Sequence, residues 1–135
     1  MNETARPYPR ILVITSCTGE KRQKPINQLI QSDFYETEQL KSREEELADF
    51  ATPASQLYTG SQHLQVMKGV NHLRDALGSE VIDLMILSAG YGLIPEDQII
   101  VPYEVSFNTM TGQEIDEWSR FLDIHRSLEQ AIHNY

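Results

Sequence analysis

Two short segments hold the side chains best suited to chemistry. One is Ser16-Cys17-Thr18-Gly19-Glu20-Lys21, and the other is Ser88-Ala89-Gly90-Tyr91-Gly92. Each lies at the end of a run of apolar, β-branched residues, 11–16 and 83–88, that reads as a buried strand. In open α/β sheets ligands settle beyond the carboxyl ends of parallel strands, so both segments would open into one crevice. Gly90 and Gly92 allow close approach of backbone to a ligand, and successive N–H groups in such turns form a nest for an anion. Ser16 and Lys21 would add a hydroxyl and a positive charge. The chemistry this suits is capture of a phosphate or carboxylate. Neither the Walker spacing nor G-x-G-x-x-G is present.

Other residues could extend that site. Cys17 is a candidate nucleophile if Lys21 or backbone dipoles stabilise its thiolate; the alternative is a small hydrophobe closing a strand. Ser88 is a candidate for catalysis or for satisfying backbone at the strand end. Tyr58, Tyr91 and Tyr103 could stack on a planar ring or donate hydrogen bonds, against the alternative of half-buried packing. Asp97, with Glu96 and Glu104 nearby in sequence, could serve as acid or base, whereas Pro-Glu-Asp also simply builds turns. His63, His72, His125 and His133 lack a ligand spacing such as H-x3-H, so no metal is expected, and nothing calls for a cofactor.

The elements that must position these residues follow from periodicity. Between the two strands, Leu64, Met67, Val70, Leu73 and Leu77 form an apolar stripe of a helix capped by Ser61 and ended by Gly78. Strand, helix, strand predicts a right-handed βαβ unit with a long insertion before the helix. That insertion, 25–53, is acidic and partly helical, with 37–49 read as a solvated face. Residues 91–108 read either as a long ordered loop or as a loop with a short strand near 99–101. Thr111-Gly-Gln-Glu114 is a capping box that opens a final helix carrying Ile115, Trp118, Leu122, His125, Leu128 and Ile132.

The chain has 135 residues, one domain's worth, with a flexible lead over 1–9. Only two strands are secure. The expected fold is α/β, a Rossmann-like three-layer α/β/α arrangement with a small, mainly parallel sheet. That sheet would gain area from weaker strands, from a partner chain, or from a strand cut away after the last helix. A single cysteine, no leader and no long apolar run predict a cytoplasmic protein with no membrane segment. A net charge of −9 opposes non-specific nucleic-acid binding and would suit a basic protein partner, but Lys21, Arg22 and Lys24 form a local basic loop. The partner classes are therefore a nucleotide or nucleic acid, a basic protein, or a second copy of the chain.

Three pieces resemble a bacterial and phage domain family with no characterised role: Ser16-Cys17-x3-Lys21, Pro53-Ala54-x2-Leu57-Tyr58-Thr59-Gly60, and Leu87-Ser88-Ala89-Gly90-Tyr91-Gly92-Leu93-Ile94-Pro95-x-Asp97-x-Ile99-x2-Pro102-Tyr103. That family carries C-S-x-x-K, A-x-x-L-Y-[ST] and S-A-K-Y-G-L-[LI] ending in P-Y-[DE]. The last stretch is also similar to the L-S-G-L-Y-G-[LV]-L-R-P-x-D-x-I-x-P-Y motif of the YaaA peroxide-stress proteins, whose Y-x-G segment is similar to Tyr58-Thr59-Gly60. The resemblance implies an α/β fold with a site built from the three segments, which adds Thr59 and Gly60 to the ligand-binding set. For YaaA-like proteins it implies DNA binding and a part in limiting peroxide and iron damage. Gly90 stands where the family has Lys, the acidic insertion is longer, and no helix-hairpin-helix element is evident.

Overall fold

A computed structural model describes residues 9–17 and 19–135. Most of the expected lead, and Thr18 of the first loop, lie outside the described residues. Strand β1 (Ile11–Ser16) is followed by a 3₁₀ turn over Gln31–Phe34 and helix α1 (Thr37–Glu46). Then come a short strand β2 (Thr52–Pro53), a helical turn α2 (Ala54–Leu57) and the long helix α3 (Ser61–Leu77). Strands β3 (Ile82–Ser88), β4 (Gly92–Pro95) and β5 (Ile99–Ile100) precede helices α4 (Gly112–Phe121) and α5 (Ile124–His133).

The fold is mixed α/β with a small three-stranded mixed sheet in the order β1-β3-β4. The two apolar runs pair in parallel, Ile11 opposite Ile82 through Ser16 opposite Leu87. The third strand is a correction to the expected mainly parallel sheet. The chain turns at Gly92, whose φ of +81° is a conformation glycine adopts without strain, and β4 folds back antiparallel on β3. Part of the expected loop over 91–108 is thus a hairpin strand, and Ile99–Ile100 pairs with Thr52–Pro53 in a separate two-stranded ladder.

α3 lies against β1 and β3. Val66, Met67, Val70 and Leu77 pack on Val13, Val81, Ile82 and Leu84. The stripe predicted from spacing is rotated: Leu64 and Leu73 are exposed, while His63 and the aliphatic part of the 70–77 turns face inward. Arg74 fixes that rotation. Its guanidinium binds both carboxylate oxygens of Glu96 (2.9 and 2.6 Å) and the carbonyl of Ile82 (2.8 Å). The rest of the core gathers on Leu29, Leu47, Ile86, Ile94, Ile100, Tyr103 and Trp118, and the Trp118 indole N–H donates to the Ala89 carbonyl at 2.6 Å.

The acidic insertion is tied down rather than merely solvated. Asp33 is buried and accepts from the Ile30 N–H, the Gln39 amide and Arg43. Arg43 also reaches the carbonyls of Asn27 and Gln28 and pairs with Glu46. The single final helix expected from the capping box is two helices. The box itself forms, with Thr111 and Glu114 exchanging hydrogen bonds, but Asp123 adopts a left-handed conformation (φ +57°) and separates α4 from α5. Asp is among the few residues that tolerate that region.

Candidate functional site

A cleft of about 530 Å³ opens at the carboxyl ends of β1 and β3. Ser16, Cys17, Gly19 and Lys21 line it from the first loop, Leu87 and Ala89 from the end of β3, and Tyr103 to Asn108 from the segment after β5. The loop after β1 is held by backbone pairing on both sides. The Cys17 N–H donates to the Leu87 carbonyl (2.9 Å), Arg22 N–H to Leu57 (2.8 Å), and Thr59 N–H to Glu20 (2.9 Å). Lys21 and Tyr58 form a bridge pair, which fixes where the ammonium emerges. The Cys17 thiol is half-buried, and its sulfur accepts the Ala89 N–H at 3.3 Å.

Beneath the cleft three hydroxyls close a ring. Tyr58 Oη lies 3.0 Å from Ser88 Oγ and 2.6 Å from Tyr103 Oη, and Ser88 Oγ lies 2.8 Å from Tyr103 Oη. Ser88 Oγ also accepts the N–H groups of Gly90 and Tyr91. All three side chains are buried, and each hydroxyl can donate once and accept once around the ring. Burial pushes both phenols well above the usual tyrosine value, so they are neutral hydrogen-bonding groups at neutral pH. Ser88 therefore ends the strand as a satisfied node of this ring.

Lys21 stands over the ring. Its Nζ is 4.6 Å from the Tyr103 ring centroid and 6.0 Å from that of Tyr58, within cation–π range. Burial holds the ammonium below the ordinary lysine value, with the charge of Lys24 pushing the same way, and Cys17, then Glu104 and Glu20, offset only part of that cost. Among the described residues no carboxylate forms an ion pair with it. Lys24, on the same wall, adds a second cation.

The structure thus gathers Ser16, Cys17, Lys21 and Tyr103 at one cleft, with Tyr58 and Ser88 directly under Tyr103. Thr59 and Gly60 run beside the first loop and lead into α3, whose residue Gln62 lines the cleft. Others go elsewhere. Tyr91 points to the insertion, its hydroxyl donating to Glu44 at 2.7 Å. Gly90 is a packing position: a Cβ there would sit 2.9 Å from Tyr103 Cδ2 and 3.1 Å from Phe34 Cζ. Gly92 makes the hairpin turn. Asp97 is exposed on the β4–β5 turn beyond Pro95, which pairs with Met85, and it borders a different cleft with Arg10 and Asp83. Gln28, Gln62, Ser106, Phe107 and Asn108 line the candidate site and carry no motif.

No grouping of His, Cys, Asp and Glu among the described residues is arranged to hold a metal, and no described helix is long and apolar enough to cross a membrane. Residues 42–134 match a family of unknown function, DUF6884, and the chain belongs to that family. Neither a curated protein nor a solved structure matches it.

Proposed function

We propose that the cleft at the carboxyl ends of β1 and β3 binds a small anionic ligand, a phosphate or carboxylate compound, with Lys21 as its cation. The observation that carries this is the Lys21 ammonium itself: half-buried, backed by the Tyr103 ring, facing a cleft, and without an ion pair among the described residues. A lysine kept in so poorly hydrated a place is stabilised by an incoming anion, which supplies the missing charge partner. The first turn of α3 borders the same cleft and adds the positive end of a long helix. The volume is within the range of small-molecule sites. Cys17 on the same wall is the nucleophile this reading offers for any reaction of the bound ligand. The likeness of 87–103 to the YaaA motif supports the location, since Leu87, Ala89 and Tyr103 of that stretch line the cleft.

The test is a thermal-shift and calorimetric screen of phosphate- and carboxylate-bearing compounds against wild type and Lys21→Met. The expected result is a ligand that raises the melting temperature of the wild type, binds more weakly as salt rises, and loses at least about tenfold in affinity in Lys21→Met. A screen with no hit, or a hit indifferent to Lys21→Met, would sink the reading.

A further inference from the structure

We infer that the ligand of this cleft is a nucleotide, with its base read by Gln28, Gln62 and Asn108 and its phosphate held at Lys21. The inference rests on the anion reading above and adds the class of compound. Three amide residues, Gln28, Gln62 and Asn108, line one cleft from three separate segments of the chain, and none of them makes a side-chain hydrogen bond to a described residue. Their backbones are fixed. Gln28 precedes Leu29, whose N–H donates to Pro102 and whose carbonyl accepts from Glu104, and the carbonyl of Gln28 accepts from Arg43. Gln62 is the second residue of α3, and the Asn108 N–H donates to Ser106 Oγ at 3.2 Å.

The balance of donors and acceptors selects the ligand. A simple oxyanion offers acceptors only, so it suits Lys21 and the amide NH2 groups but leaves the three amide carbonyls and the Glu104 carboxylate without a donor. A carboxamide both donates and accepts, which is the pattern on the edges of nucleobases. The half-buried Phe107 ring on the same wall adds apolar surface for a planar heterocycle. A mononucleotide therefore satisfies both ends of the lining, and inorganic phosphate satisfies one.

The experiment is calorimetric titration of the full chain with inorganic phosphate, the four ribonucleosides and the four 5′-mononucleotides. Wild type is compared with Lys21→Met, Gln62→Leu and Asn108→Ala; Gln62 and Asn108 are exposed, so neither variant disturbs the core. The expected result is one mononucleotide binding at least about tenfold tighter than phosphate, with Gln62→Leu and Asn108→Ala each weakening it about tenfold and leaving phosphate binding unchanged. Phosphate binding as tightly as every mononucleotide, or mononucleotide binding untouched by both amide variants, overturns the nucleotide and leaves the anion site standing. A wild type that binds neither phosphate nor any mononucleotide, or binding indifferent to Lys21→Met, overturns both.

Discussion

Replacing Gly90 by Ala tests whether the packing under the cleft is as tight as the geometry indicates. The new Cβ would lie 2.9 and 3.0 Å from Tyr103 Cδ2 and Cγ and 3.1 Å from Phe34 Cζ, so a ring must move. Neither ring has slack. Tyr103 is 1% exposed and bound through its hydroxyl to Tyr58 and Ser88, while Phe34 packs edge-on against Tyr91, Tyr103 and Trp118. Overpacking of this kind costs roughly 1–3 kcal/mol. The φ of Gly90 is not positive, so alanine returns about 0.4–1 kcal/mol by restricting the unfolded chain. The net expectation is a loss of about 0–2.6 kcal/mol, centred on about 1.3 kcal/mol. An unfolding entropy of about 2.1 cal/mol/K per residue turns that into a melting temperature about 5 °C lower for this chain at the centre of the range and about 9 °C lower at its limit. Gly69→Ala is the internal control: it sits within α3 with nothing within 4 Å of its Cβ, and it should stabilise by about 0.5–1 kcal/mol. Thermal unfolding followed by circular dichroism compares the two. A Gly90→Ala protein that melts at or above wild type would refute the argument, and with it the assignment of Gly90 as a packing position.

Two titrations follow from buried groups. Burial opposes ionisation of Asp33, yet the Ile30 N–H, Gln39 and Arg43 outweigh it and hold the carboxyl below its ordinary value. A depressed folded value gives stability that is present above the unfolded value near 4 and is lost as pH falls through the folded one. Urea unfolding should therefore show Asp33→Asn less stable than wild type at pH 7, with the gap closing below about pH 4; a pH-independent gap would contradict it. At the alkaline end, burial raises Tyr58, Tyr91 and Tyr103, with the Glu44 carboxylate adding to Tyr91. Phenolate absorbance at pH 11 should leave these three protonated while the fold persists, and stability should decline as pH rises above about 10, where the unfolded phenols ionise. Ionisation of all six tyrosines in a natively folded protein would show the ring to be solvated.

The parallel pair β1 and β3 was legible because 11–16 and 83–88 are continuous apolar runs, but β1 is not the buried strand expected: it lies at the edge of the sheet with Ile11 and Ile14 exposed, and only β3 is central. The crevice at their ends followed from topology, and Ser16, Cys17, Lys21 and Tyr103 do meet there. What could not be read was direction. The stretch 92–95 is as apolar as a loop-to-helix transition or a hairpin strand would be, and only the positive φ at Gly92 decides between them. The phase of α3 was misread because Arg74 and His63, polar by type, point inward and displace Leu64 and Leu73. The carboxamides of Gln28, Gln62 and Asn108 left no trace, since amides are common on any surface and only three-dimensional convergence singles them out.

The hydroxyl ring under the cleft joins residues far apart along the chain: Tyr58 lies 30 positions from Ser88 and 45 from Tyr103. Its supports span even more sequence, since β1 pairs in parallel with β3 across the whole of the insertion and α3. Closing loops of that length is the slow part of folding, and the reward comes only when the last segment arrives. The floor of the site therefore forms late. A ribosome-bound chain emerging only as far as α3 holds Lys21 and Tyr58 but has no cleft, whose walls are complete only once the segment through Asn108 has folded onto β3.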